Sequence, residues 1–439
     1  MTGASSVPVS SGPTTSGPTI TRATVTPILI GDPPLLNTQG VHQPYTPRMI
    51  VELETDAGVT GVGETYGDTD YLTIAERLAV AVVGQPLSCL NRLGTLVGGD
   101  SSAPESTRLD VGGLRGVRTS TKLTASVVSA FEVAALDALG RTTGLPVHAL
   151  LGGKVRDRVE YSGYLFYRWA EHPVPDAPAD DWGDALDPDG VVAQAQRFAD
   201  RYGFTSFKLK GGVFPPEEEI AAINALRAAF PEAPLRLDPN GAWSVATGIS
   251  VANELANVVE YLEDPTLGVT GMSEVYRKTG VPLATNMCVT TFAEVPAAFA
   301  ADAVQVVLSD HHFWGGLVAT RELAALCRTF GVGLSMHSNT HLGISLAAMT
   351  HVASTVPDLL YACDTHRPWQ TEDVITEPHT FSGGCVDVSD APGLGIELDR
   401  DNLARFHERW KAGDVRNRDD VSAMRVARPE WTQPAMPRW

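Results

Sequence analysis

Eight short runs rich in apolar and β-branched residues recur through the middle of the chain: VEYSGYLFY, TSFKLK, LRLDPN, VVEYLEDP, VPLATN, AVQVVLSD, GVGLSMHS and LLYACD. Each ends in polar residues and is followed by a stretch of helical periodicity. From the second run on, the endings fall at Lys208, Asp238, Glu263, Asn286, Asp310, His337 and Asp364, in steps of 30, 25, 23, 24, 27 and 27 residues. Strands alternating with helices at that spacing predict a parallel sheet. Eight such units, with polar residues at the carboxyl ends of the strands, predict a (β/α)8-type α/β barrel whose reactive groups share one mouth. An open doubly wound sheet would gather them at one switch point instead of at seven strand ends in turn.

Upstream the rhythm differs. Residues 20–30 (ITRATVTPILI) are β-branched, and 48–55 (RMIVELET) alternate apolar and polar before the turn Asp56-Ala57-Gly58 and VTGVGE. This predicts a hairpin-rich antiparallel sheet. Leu123–Leu139 has helical periodicity and stops near Gly140. The expected organisation is an α+β capping domain over 21–155 and the barrel over 156–384. A turn-rich segment over 385–439, with one helix (LARFHERWKAG), is expected to pack back on the cap. Residues 1–20 hold Ser, Thr, Pro and Gly with no charged side chain, a composition that reads as a flexible tail.

A chain of 439 residues is too long for one core, in keeping with two domains. Its hydrophobic fraction of 43% and charged fraction of 19% are those of an ordinary soluble globular protein. The net charge of -19 argues against nucleic acid as a partner, and it means that a small dicarboxylate would need a local basic pocket. Cys89, Cys288, Cys327, Cys363 and Cys385 are scattered and odd in number, so they read as thiols in a reducing compartment. There is no run of 18 apolar residues and no basic-then-apolar leader pattern, so no membrane span is expected and the location expected is cytoplasmic.

Asp238, Glu263 and Asn286 end three consecutive strands, and adjacent strands lie about 5 Å apart, so the three oxygens can converge on one ion. Two carboxylates and an amide suit Mg²⁺ rather than zinc. The plainer alternative is three strand-end caps. Lys208 and Lys210 share one face of their strand. If that face is the barrel interior, mutual repulsion should lower both pKa values and favour a neutral amine as base. The plainer alternative is a solvated edge strand. Asp310 should orient His337 and raise its basicity. Bases on two sides of a metal-held carboxylate form a geometry for removing an α-proton.

The motifs FKLKGG (Phe207–Gly212), LDPNGAW (Leu237–Trp243), EDP (Glu263–Pro265), ATNM (Ala284–Met287), SDHHFW (Ser309–Trp314) and HSNTH (His337–His341) stand in order. In that order and spacing they resemble the enolase superfamily, and within it the glucarate dehydratase group of the mandelate racemase-like branch, from about Ile20 to the C-terminus. A Lys or His base with Mg²⁺ is the known pattern of enolase-superfamily sites. The resemblance implies Lys210 and His337 as the two bases, Asp310 as support for His337, and Lys208 on the substrate carboxylate. Asp238, Glu263 and Asn286 would be the Mg²⁺ ligands. It further implies substrate contacts from Asn37, His42, Tyr164, Ser338, Asn339, His366 and Arg418, with Thr119 as another candidate. The implied reaction is loss of water from an acid sugar, D-glucarate above all, to 5-dehydro-4-deoxy-D-glucarate, by a homo-oligomer in acid-sugar catabolism. Rival readings are a dehydratase or epimerase for another aldarate or aldonate, and a non-catalytic acid-sugar-binding relative. The segment between EDP and ATN is short and has no glutamate where the group carries a further one assigned to the metal. This leaves Glu263 as the ligand and Glu274, in a helical pattern, as a poorer choice.

Overall fold

The structure, a computed structural model, describes residues 17–98, 119–175 and 177–439. The expected tail lies outside the described residues over 1–16, and the chain is in strand from Ile20. The cap comprises β1 (Ile20–Gly31), the two-residue strands β2 (Leu36–Asn37) and β3 (Gly40–Val41), β4 (Tyr45–Thr55) and β5 (Thr60–Tyr66). It continues with α1 (Thr69–Val82), α2 (Leu93–Leu96), α3 (Ser120–Thr143) and α4 (Val147–Leu150). β4 is the middle of an antiparallel sheet, with Val51 opposite both Val25 and Gly63. α3 lies directly on β5, which is glycine there for a reason. A Cβ at Gly63 would stand 1.9 Å from the Ala130 carbonyl oxygen, and one at Gly61 2.0 Å from that of Ala134.

α3 runs past Gly140, where the sequence pattern ended it, to a left-handed stop at Gly144 (φ 71°). Gly140 serves close packing instead, since a Cβ there would meet Gly393 Cα at 2.7 Å. With a mean hydropathy of 1.5, α3 is long and apolar enough to cross a membrane, but 72% of that apolar stretch is buried inside the protein, as expected of a core helix.

The barrel begins with β6 (Arg158–Phe166) and α5 (Pro188–Tyr202), followed by β7 (Phe207–Lys210), α6 (Pro216–Ala229), β8 (Leu235–Asp238) and α7 (Val245–Leu255). Next come β9 (Tyr261–Glu263), α8 (Gly268–Thr279), β10 (Leu283–Thr285), α9 (Val295–Ala300) and β11 (Val306–Ser309). α10 (His311–Trp314), α11 (Leu317–Phe330), β12 (Gly333–Met336), α12 (Gly343–Ser354) and β13 (Cys363–Thr365) complete it. The strands are parallel neighbours in the order β12-β11-β10-β9-β8-β7-β6-β13. A bridge between Leu334 and Leu359 and the bond from Ser335 Oγ to Ala362 O (2.9 Å) bring the two ends together. The expected eighth helix is not there. After β13 a single 3-10 turn at Arg367–Trp369 leads to a segment with Pro378, Gly383 and Gly384, residues that break helices.

β14 (Cys385–Asp387) then pairs antiparallel with β6. α13 (Arg400–Ala412) lies along β1, where His407 Nδ1 meets the Pro27 carbonyl at 2.7 Å and Arg409 donates to that of Leu29 at 3.0 Å. A second terminal helix, α14 (Asp420–Ala427), was not expected; it is only eight residues long and too short to show a period. All five cysteines are free thiols.

Candidate active site

In β7 all four side chains are buried. Phe207 and Leu209 belong to the hydrophobic core, and alternation turns Lys208 and Lys210 the other way, into the barrel. Parallel register sets Lys210 beside Asp238 and Lys208 beside Tyr164. Lys210 Nζ donates to Asp238 Oδ2 (2.7 Å) and Asn240 Oδ1 (2.6 Å). Lys208 Nζ donates to Asp364 Oδ2 (2.7 Å), touches Glu263 Oε2, and stands 4.4 Å from the centre of the Tyr164 ring. Tyr164 Oη donates to Asp238 Oδ2 at 3.1 Å.

These contacts overturn the expected titration of Lys208. Burial works against its ammonium, but Asp364, Glu263 and Asp238 more than offset this and raise its pKa, so Lys208 is a fixed cation. Asp238 is held below the ordinary carboxylate range, because Lys210 and Lys208 outweigh its burial. Glu263 is pushed well above its ordinary value by burial and by the neighbouring charge of Asp238.

The residues present fit a divalent cation. Glu263 Oε1 is buried without a hydrogen-bond partner, beside a second carboxylate whose charge it cannot escape. Asn286 is held by its backbone, which donates to Asp264 Oδ2 (2.9 Å), and Thr285 Oγ1 holds the other oxygen of that carboxylate at 2.5 Å. Three hard oxygen donors at the ends of β8, β9 and β10 are a Mg²⁺-type set. Glu274 is on the outside of α8, paired with Lys278.

β12 stands across the mouth from β7, three strands away one way around and five the other. Asp310 Oδ2 lies 3.2 Å from His337 Nδ1 and accepts from Tyr66 Oη at 3.3 Å; Oδ1 lies 2.8 Å from His312 Nδ1 and accepts from His312 N at 2.9 Å. Although buried, Asp310 is held well below the carboxylate range by His312 and by hydrogen bonds from His337 and His341. An ionised Asp310 can only accept, so the His337 proton sits on Nδ1, and Nε2, buried without a partner, carries the basic lone pair. The expected rise in His337 basicity does not survive the environment. Burial outweighs Asp310 and lowers the pKa, which keeps the imidazole neutral and ready to accept a proton.

Of the expected substrate contacts, Tyr164 and His366 belong to this cluster, their rings 4.6 Å apart, and both His366 nitrogens are buried without partners. Ser338 Oγ accepts from His366 N at 3.3 Å. Asn339 Nδ2 has no partner, and its residue lines a small recess with Thr340, Arg48 and Arg418. His42 packs edge-on against Phe166, which also faces His366; its Nδ1 lies 3.3 Å from Asp32 Oδ1 and its Nε2 has no partner. Asn37 and Arg418 are engaged with protein instead. Asn37 Nδ2 donates to Asp420 Oδ2 (2.8 Å), and Arg418 pairs with Asp420 Oδ2 (3.1 Å) and Asp32 Oδ2 (3.3 Å), joining the β2–β3 hairpin to α14. Thr119 is the N-cap of α3, its Oγ1 accepting from Lys122 N at 3.1 Å.

Sequence reasoning gave no role to Asn240, Asp264 or Asp364, nor to the cap residues Glu64 and Tyr66. Glu64 accepts from Leu342 N and Ser345 N, both at 2.9 Å, at the start of α12, and pairs with Arg48. Burial would raise its pKa, but Arg48 and these amides bring it below the usual value. The one signal was a charged residue in the core-facing register of TGVGETY.

Residues 35–152 match the mandelate racemase / muconate lactonizing enzyme N-terminal domain, and residues 190–402 match the enolase C-terminal domain-like family. A curated relative from Streptomyces coelicolor, described as a probable glucarate dehydratase, is 69% identical over 421 residues, covering 94% of this chain and 97% of its own length. A solved enolase structure from Mycobacterium smegmatis str. MC2 155, complexed with formate and acetate, has a TM-score of 0.91 at 54% identity, covering 96% of this chain and 99% of that one. One from Pseudomonas fluorescens Pf0-1, with bound magnesium, potassium and tartrate, has a TM-score of 0.92 at 47% identity and covers 97% and 100%. With its cap and its barrel both matched, this chain is an enzyme and belongs to the mandelate racemase / muconate lactonizing enzyme family of the enolase superfamily.

Proposed function

We propose that this enzyme is a magnesium-dependent hydro-lyase that converts D-glucarate to 5-dehydro-4-deoxy-D-glucarate. What supports it is that the buried carboxylates of Asp238 and Glu263 both reach Lys208, that Lys210 is hydrogen-bonded to Asp238, and that His337 Nε2 is buried without a partner among the described residues. The likeness to a probable glucarate dehydratase narrows the substrate, and neighbours solved with magnesium or small acid anions support the cofactor and ligand class.

Asp238, Glu263 and Asn286 would hold the Mg²⁺. When bound, Mg²⁺ would supply positive charge that stabilises the negative charge developing on the substrate carboxylate. Lys208, a fixed cation, binds the substrate carboxylate. His337 Nε2 or Lys210 Nζ, according to the epimer, takes the α-proton; the C–H electron pair moves into the developing double bond, and the β-hydroxyl leaves. Where His337 takes the α-proton, it returns that proton to the hydroxyl, which departs as water, with Asp310 stabilising the imidazolium in between; where Lys210 takes it, His337 must first pick up a proton from solvent to act as the acid. The enol then tautomerises to the keto acid. We expect a cytoplasmic homo-oligomer, and light scattering will read the subunit number.

The test is keto-acid formation with Mg²⁺ from D-glucarate, L-idarate and galactarate, with Lys210→Ala and His337→Ala as controls. Turnover of glucarate and idarate that collapses in both variants supports the reading. No turnover of any hexarate by an enzyme that binds Mg²⁺ rejects the substrate.

A further inference from the structure

Immediately after Lys210 the chain makes the loop Gly211–Phe214, and one buried carboxylate takes nearly all of its amides. Glu219, in the first turn of α6 and fully buried, accepts from Gly212 N through Oε2 (3.1 Å) and from Val213 N and Phe214 N through Oε1 (2.9 and 3.1 Å). The remaining amide, Gly211 N, donates to the backbone oxygen of Asp238 at 2.8 Å. From the other side Arg438 donates to Val213 O at 3.0 Å and approaches Gly212 O at 3.5 Å. The loop is packed without slack. A Cβ on Gly211 would stand 2.6 Å from Glu219 Oε2, and Gly212 has φ 73° with Thr38 Cγ2 only 2.6 Å from where its Cβ would be. Thr38 is the tip of the β2–β3 hairpin, so the loop is also the seat of that hairpin over the mouth.

We propose that Glu219 is a positioning residue for the Lys210 base: by fixing the Gly211–Phe214 loop it sets where Lys210 Nζ stands beneath the hairpin. This rests on the dehydratase reading above. A carboxylate buried beside three amides, with no ion-pair partner within hydrogen-bond reach among the described residues, is costly unless its geometry is needed, and burial does push Glu219 up to about 7. Its amide contacts end two residues from the catalytic amine, a distance at which small shifts are felt at the reacting atom.

The test compares the two epimers. Lys210→Ala and His337→Ala first assign which of D-glucarate and L-idarate loses its α-proton to which base. In Glu219→Gln the amide oxygen can still accept on one side, but the NH2 group faces a loop N–H from which it cannot accept. Turnover and solvent-deuterium exchange of the Lys210-served epimer should fall on the order of a hundredfold, while α-proton exchange of the His337-served epimer stays within a few-fold. Glu219→Asp should recover part of the loss. Equal losses for both epimers in a folded Glu219→Gln enzyme would overturn the proposal. If that variant does not fold, Gly211→Ala, which crowds the carboxylate from the loop side, is read by the same ratio. If the wild type turns over neither hexarate, the dehydratase reading fails separately. Amide exchange then decides: protection lost at residues 212–214 in Glu219→Gln, with altered acylation of Lys210, sustains the proposal, and unchanged protection rejects it.

Discussion

Asp310→Asn separates the two bases. Asp310 Oδ2 faces His337 Nδ1 at 3.2 Å, while Oδ1 takes the backbone N–H of His312 at 2.9 Å and lies 2.8 Å from its Nδ1. An asparagine keeps its oxygen on the His312 side, where two donors meet it, and turns its NH2 toward His337. The imidazole answers by accepting at Nδ1, which moves its proton to Nε2, the atom that must be bare to act as base. Restoring the reactive tautomer leaves two N–H groups facing each other, and the imidazolium formed on proton transfer loses its counter-charge. At 3.2 Å and an effective dielectric near 20, that charge pair alone is worth about 5 kcal/mol. A rate loss on the order of 10³ to 10⁴ follows for steps that use His337. The assay is keto-acid formation and α-proton exchange in deuterated water, with D-glucarate and L-idarate. The epimer served by His337 should lose both reactions. The epimer served by Lys210 should keep its exchange yet lose dehydration, because His337 still has to protonate the leaving hydroxyl. Exchange lost equally from both epimers, or a loss under tenfold throughout, would refute the assignment of Asp310 to His337 alone.

Three further outcomes are expected. Glu263→Gln should abolish the Mg²⁺-dependent rise in melting temperature, since it removes a charged oxygen from the proposed ligand set at the end of β9. An unchanged Mg²⁺ response in thermal melts would remove Glu263 from the ligand set. Gly63→Ala should cost at least about 3 kcal/mol in urea unfolding, because its Cβ would lie 1.9 Å from the Ala130 carbonyl oxygen and must push α3 off β5; a loss under about 0.5 kcal/mol would contradict the packing argument. Glu132, which accepts from Leu317 N at the start of α11, is raised by burial to about 7 from an ordinary 4.5. A raised carboxylate contributes stability that is present below its unfolded pKa and is lost as pH rises through about 7. Glu132→Gln should therefore flatten the pH dependence between 4.5 and 8, although its NH2 must face one of the two amides that Glu132 now accepts from. Parallel stability curves from pH 5 to 8 would reject it.

What was legible in the sequence was what alternation and spacing encode. The candidate ligand and base positions could be proposed because they stand at or just past the ends of strands that recur about every 25 residues. Asp364 shared that position, yet its work shows only across the ring, where it neutralises Lys208. Asn240 and Asp264 follow their strands on left-handed backbone (φ 56° and 40°), and no period marks them. Glu64 and Tyr66 reach the site from another domain. The titrations were misjudged for the same reason: two lysines on one strand predict repulsion, but opposing strands supply carboxylates that reverse the sign for Lys208. The acidic chain had demanded a basic pocket for a dicarboxylate. Instead, Lys208 and Lys210 are matched by Asp364 and Asp238, with Glu263 adjoining them, and Arg418 is matched by Asp32 and Asp420. Among the described residues, these side chains thus offer a dicarboxylate little net positive charge. On the proposed reading, a divalent cation held by Asp238, Glu263 and Asn286 would supply the excess. The ion proposed to stabilise the enediolate would then also create the affinity for the ground-state anion, tying substrate binding and chemistry to one set of three strand ends.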